Sequence, residues 1–291
     1  MSGPVIGVFD SGFGGLTVLH ALVERLPQAE FVFLGDTARL PYGSKSQRTI
    51  ARYATESARF LVEEQGAEYL VIACNTASAL ALDAIEAAVP VPVLGVIEPG
   101  AEAAAAATKS GDVMVMATEA TVASHAYAAA CERRGVTAVE KACPLLVPLV
   151  EEGWIEHPVT EQVARIYVQE LLEQSRAGES GSDGGASGDP DALVLGCTHY
   201  PLLRPVLERA VPTGVAVIDS AEATAARVAE AMARRRNWDG RMDSPANGVP
   251  AVDGAARIRC FATDSVAKFE RLGSRFLGQP VGAVELVDLG G

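Results

Sequence analysis

"LVLGCTHYPLL" (Leu193–Leu203) and "LVIACNTASAL" (Leu70–Leu80) share one plan: four apolar or small residues, a thiol, then polar side chains. The apolar run reads as a buried strand, and the residues after the cysteine as the approach to a helix. Near-continuous apolar strands separated by helices belong to parallel sheets covered on both faces. In such folds ligands gather at the carboxyl ends of the strands, where Cys74 and Cys197 sit. If two similar α/β halves face each other, the two strand ends converge on one cleft.

The rest of the chain keeps this rhythm. PVIGVF, EFVFLG, VPVLGVI, DVMVMAT, VEKACP, GVAVIDS and RIRCFAT also read as short buried strands. Amphipathic stretches such as Ser46 to Gly66 and Glu119 to Arg134 fit helical periodicity better than alternation. Two stretches lack apolar periodicity: RAGESGSDGGASGDP (Arg176–Pro190) and DGRMDSPANGVPAVDGA (Asp239–Ala255). They read as a surface insertion and a connection, and neither is expected to carry chemistry.

With 49% hydrophobic and 21% charged residues, the 291-residue chain has the composition of a folded protein of one large or two compact domains. Its net charge of -13 argues against a nucleic-acid or anionic-membrane surface, while leaving a local pocket free to hold small anions. The start of the chain has no basic segment followed by a long apolar run, and no stretch suits a spanning helix, so a soluble, cytoplasmic protein is expected. Cys74, Cys131, Cys143, Cys197 and Cys260 are odd in number and lack CxxC spacing, which disfavours a disulfide framework or a zinc ribbon.

A lone cysteine is most often a small buried hydrophobe, and Cys131, Cys143 and Cys260 keep that reading. Cys74 and Cys197 differ because core packing does not call for Asn75 and Thr76, or Thr198 and His199, beside the thiol; such groups are costly to bury without partners. A thiol near a helix N-terminus also meets free N–H groups that stabilise the thiolate, so a modestly lowered thiol pKa is expected.

Two further elements belong at the same edge. In VIGVFDSGFGGLTVL a strand ends in Asp10 and Ser11 before a glycine-rich turn. A dinucleotide fingerprint is the competitor, but Thr17 stands where its third glycine belongs. A turn whose N–H groups approach an anion fits better, with Asp10 and Ser11 projecting into the cleft. LGDTARLPYGSKS places Pro41, Tyr42 and Gly43 in a tight turn after the second strand, read as a ligand-contacting loop.

Together these elements resemble the glutamate racemases of the cofactor-independent aspartate/glutamate racemase superfamily. FDSGFGG, GDTARLPYG, ACNTAS, GVIEPGA, CPLLVPLVEEG and LGCTHYPLL occur in the family's order over nearly the whole chain. The resemblance implies an α/β fold of two pseudosymmetric three-layer domains with mainly parallel sheets and the active site between them. Residues 1–98 with 212–291 would form the first domain, and 99–211 the second. Cys74 would be the base for the D-enantiomer and Cys197 for the L-enantiomer, assisted by Asp10 and His199, with Glu151 near the second thiol. Ser11, Pro41, Tyr42, Gly43, Asn75, Thr76, Thr121 and Thr198, with Asp10 and His199, would hold the substrate.

The resemblance implies no cofactor and no metal, small-molecule L- or D-glutamate as partner, a homodimer, and D-glutamate supply to peptidoglycan. An aspartate racemase or another two-thiol isomerase is the alternative within the superfamily; a thiol redox switch is the alternative from another class. One departure is ATDSVAKF near Cys260, where the family pattern has a glycine after the threonine; it is expected to touch no site residue.

Overall fold

A computed structural model describes residues 4–179, 189–238 and 257–290. Ten strands are found among these: β1 (Val5–Asp10), β2 (Glu30–Gly35), β3 (Tyr69–Ile72), β4 (Val93–Gly95), β5 (Asp112–Ala117), β6 (Thr137–Ala142), β7 (Ala192–Gly196), β8 (Ala216–Asp219), β9 (Arg257–Ala262) and β10 (Val284–Leu286). They form a six-stranded sheet in the order β10-β9-β2-β1-β3-β4 and a four-stranded sheet in the order β6-β5-β7-β8. Every pairing is parallel, so the expected α/β class holds. All nine strands expected from apolar runs form; β10, three residues on an edge, is additional.

The central strands are buried along almost their whole length, as a sheet covered on both faces requires. The helices Leu16–Arg25 and Ile97–Ala107 both pack on the long helix Ser220–Trp238. One apolar cluster therefore runs from Phe13 and Leu16 through Met114 and Leu195 to Tyr200 and Phe269, joining the two sheets. Each fully buried Leu or Phe in it contributes about 1.5–3 kcal/mol.

Two expectations are corrected. The boundary after residue 211 falls short of β8, which pairs with β7 through Leu193 opposite Val217. The helix Arg204–Ala210 is the crossover that β8 completes, so the sheet carrying Cys197 extends to Asp219. The amphipathic stretch Glu119 to Arg134 is two helices, Glu119–Ala123 and Ala126–Glu132, broken at His125, whose φ of 54° no α-helix accommodates. Residues 180–188 of the first Gly/Ser/Asp-rich stretch and the whole of the second lie outside the described residues.

Candidate active site

The register of β1, β2 and β3 sets the first half of the site. Phe9 lies opposite Ile72, and Asp10 opposite Gly35, so the residues after these pairs leave the sheet at one edge. Cys74 caps the six-residue helix Asn75–Leu80. Its Sγ accepts from the Ala77 amide at 3.4 Å and donates to Ser11 Oγ at 3.4 Å. Asp10 is 2% exposed; its Oδ2 accepts from the Gly12 amide at 2.9 Å, and its Oδ1 is buried and unpaired among the described residues. Burial raises the Asp10 pKa, against the opposing pull of His199 and the amides of Gly12, Gly15 and Ser11.

The second half is built on β5 and β7, where Ala117 lies opposite Gly196 and Cys197 is the next residue out. Tyr200 anchors the turn that follows by donating to the Cys143 carbonyl at 2.9 Å. His199 Nδ1 stands 3.9 Å from Cys197 Sγ. On its other side, His199 Nε2 is 3.4 Å from Glu151 Oε1, close to the carboxylate but without hydrogen-bond alignment. Lys268 Nζ donates to Glu151 Oε2 at 3.0 Å. Burial pushes Glu151 up, but His199 and Lys268 outweigh it and hold the carboxyl below its usual range.

Neither thiol pKa is lowered, contrary to expectation. Burial and the Asp10 charge push Cys74 up to about 11, despite the Ser11 and Ala77 hydrogen bonds. Burial drives Cys197 higher still; the His199 amide opposes it, while the charges on Cys74 and Asp10 add to it. A helix of six residues supplies too small a dipole to offset the loss of water around a thiolate.

Both thiols line one cavity of about 260 Å³ between the two sheets. Ser11, Pro41, Tyr42, Gly43, Asn75, Thr76, Glu151, Thr198 and His199 line it too, while Asp10 and Thr121 do not. Thr121 stands behind Thr118: the hydroxyls of Thr76, Thr118 and Thr121 form a triangle with sides of 3.0, 3.3 and 2.9 Å across the two halves. The Tyr42 hydroxyl is committed to Asp36, which also accepts from Arg39 and Thr263, so this loop presents ring and backbone to the cavity. Asn75 Oδ1 accepts from the Tyr127 hydroxyl at 2.7 Å, which leaves its amide nitrogen to serve a ligand.

The halves touch at Gly14. A Cβ there would stand 2.3 Å from Thr198 Oγ1 and 2.7 Å from His199 Nδ1, so only glycine permits the approach. Thr118 and Lys268 were missed in the sequence. Thr118 was legible as the residue after a strand; Lys268 was not, because it comes from the far end of the chain. The expectation that ATDSVAKF touches no site residue is overturned: Lys268 meets Glu151, and Thr263 Oγ1 donates to Asp36 Oδ1 at 2.9 Å. Among the described residues no group of three or more His, Cys, Asp or Glu could hold a metal ion, and no helix is long and apolar enough to cross a membrane.

The family model for Asp/Glu/hydantoin racemases matches residues 6–228. The chain belongs to this family. As an Asp/Glu/hydantoin racemase it is an isomerase, and its likeness to proteins named glutamate racemase runs end to end. It is 55% identical to the glutamate racemase of Koribacter versatilis, over 99% of this chain and 98% of that one. Glutamate racemase isoform RacE1 from Bacillus anthracis superposes with a TM-score of 0.83 at 33% identity, covering 99% of each chain. The Francisella tularensis glutamate racemase, solved in complex with D-glutamate, gives 0.80 at 30% identity, again covering 99% of each.

Proposed function

We propose that this protein is a glutamate racemase that interconverts L- and D-glutamate by proton transfer between two cysteines. The observation that carries the reading is one cavity lined by two thiols from different sheets, each with its own proton partner. Racemisation removes the α-proton from one face of the substrate and delivers a proton to the other. A single base would have to move, or the substrate turn over; two bases on opposite faces avoid both.

Cys74 serves the D-enantiomer and Cys197 the L-enantiomer. In each direction one must be thiolate and the other thiol. The protein alone holds both protonated near neutral pH, because burial raises both thiols. The substrate's ammonium brings a positive charge between them and lowers the cost of the thiolate. The proton then has a place to go on either side: the raised Asp10 carboxyl beside Cys74, or His199 beside Cys197 with Glu151 behind it.

The hydroxyls of Ser11, Thr76, Thr118 and Thr198 and the Asn75 amide offer donors to two carboxylates. Such fixed donors stabilise the enolate-like charge that builds as the α-proton leaves. The equilibrium between enantiomers is one to one, so net D-glutamate formation depends on its consumption, which we assign to peptidoglycan synthesis in the cytoplasm. A homodimer is the accompanying expectation, checked by light scattering after size exclusion.

Circular dichroism of L- and D-glutamate samples tests the mechanism. Cys74→Ala and Cys197→Ala should each lower racemisation by roughly a thousandfold or more with folding retained. Near-normal turnover by either variant would sink the two-thiol mechanism. Racemisation in deuterium oxide without deuterium at the product's α-carbon would rule out deprotonation. Turnover of aspartate in preference to glutamate would move the protein to another substrate class of the same family.

A further inference from the structure

The helix Val266–Leu277 follows β9 of the Cys74 sheet, yet its Lys268 reaches the other half of the site. Lys268 Nζ lies 3.0 Å from Glu151 Oε2, Glu151 Oε1 lies 3.4 Å from His199 Nε2, and His199 Nδ1 lies 3.9 Å from Cys197 Sγ. These four groups form a continuous line from the surface to the second thiol. The line crosses between the halves once, at Lys268.

A surface ion pair is ordinarily worth little, and the Lys268 side chain is 41% exposed. Three features separate this pair from that class. Glu151 lines the cavity, with its side chain only 21% exposed. The Lys268 ammonium is held a second time, 5.4 Å from the centroid of the buried Phe13 ring. The same helix also approaches the Glu151 segment two turns on, where Arg275 lies so close to Gly153 that a Cβ there would stand 2.7 Å from its Nη1. His199 is meanwhile oriented by packing, between Phe276 at 5.0 Å and Phe13 at 6.0 Å from its ring centre. What Glu151 adds to the imidazole is charge, and the position of that charge depends on Lys268.

We propose that Lys268 is a positioning residue for the Cys197 half of the reaction, holding the Glu151 carboxylate against His199 so that the imidazole can take and return the Cys197 proton. This rests on the two-thiol reading above. Without Lys268, Glu151 turns toward water and the imidazolium formed with the thiolate loses its fixed counterion. Proton abstraction from L-glutamate slows, while the Cys74 step, served by Asp10, keeps its own barrier.

Because the equilibrium constant is one, kcat/KM must fall equally in both directions, so rates alone cannot show on which side the barrier rose. Primary isotope effects can. Lys268→Met and Lys268→Gln are to be compared with Lys268→Arg, using α-deuterated L- and D-glutamate. The expected result for Met and Gln is a loss of roughly tenfold in kcat/KM, part of the factor a positioned proton acceptor supplies. The isotope effect should rise from the L side and fall from the D side, and Arg should restore the wild-type pattern. Unchanged isotope effects, or equal changes from both sides, overturn the role. The wild type and Cys197→Ala run alongside: racemisation surviving in Cys197→Ala breaks the two-thiol reading, whereas a symmetric Lys268 response beside an inactive Cys197→Ala breaks only the Lys268 proposal.

Discussion

The two halves of the site present the same atom, a cysteine sulfur, in different surroundings. Cys74 sits at the mouth of a helix with a hydroxyl and an amide on its sulfur and a buried carboxylate close by. Cys197 has an imidazole nitrogen 3.9 Å from its sulfur, backed by a carboxylate and an ammonium. The pseudosymmetry thus reaches the strand ends and the thiols but stops at their partners. In the proposed mechanism a proton leaving Cys74 goes to a carboxylate that becomes neutral, and one leaving Cys197 goes to an imidazole that becomes a cation. The first needs a carboxyl of raised pKa, which burial supplies; the second needs a counterion, which Glu151 supplies.

The largest effect short of removing a thiol should come from erasing one partner at a time. Asp10→Asn and His199→Asn should each lower kcat/KM by about a hundredfold, within the range for lost acid–base assistance. Asp10→Asn should raise the α-deuterium isotope effect from the D side and His199→Asn from the L side; identical responses would mean that the halves do not work separately. Next come the shared hydroxyls. Thr118→Val should cost roughly tenfold in kcat/KM and Thr121→Val about twofold, since only Thr118 faces the cavity. A reversed order would show that Thr121 meets the substrate.

The smallest effect is on stability. A Cys74 thiol raised from 9.0 to about 11 stabilises the fold fully below pH 9, and that contribution fades as the pH climbs through about 11. Melting temperature should therefore decline over this window, with Cys131, Cys143 and Cys260 acting in the same sense. Cys74→Ala should flatten the decline between pH 9 and about 11, and Cys197→Ala should flatten it from pH 9 onward and past that limit, because burial raises Cys197 further. Parallel melting curves for wild type and both variants would contradict the burial account.

Much of this arrangement was legible in the sequence because it is local. A buried parallel strand writes itself as an uninterrupted apolar run, and the residue after the run must stand at a sheet edge. That places Cys74, Cys197, Asp10 and Ser11 at the sheet edges from the sequence alone. Contacts between distant segments left no such mark. Lys268 meets Glu151 across 117 positions, and Thr263 meets Asp36 across 227. The direction of the thiol shifts was hidden for a related reason: the helix mouth is readable locally, but the burial that overrides it comes from both sheets at once. Tyr42 was correctly placed in the loop, yet its hydroxyl faces Asp36 and not the cavity, a choice made by the Arg39 and Thr263 partners of that carboxylate.

The raised thiols have a consequence for durability in oxidising surroundings. Peroxide attacks the thiolate, not the thiol. A site whose own groups keep both sulfurs protonated exposes little of the vulnerable form between turnovers. The same burial that makes the bases hard to arm thus shields them from sulfenic acid formation. Oxidative inactivation should accordingly track catalytic engagement, proceeding faster while the racemase is turning over glutamate than while it stands idle.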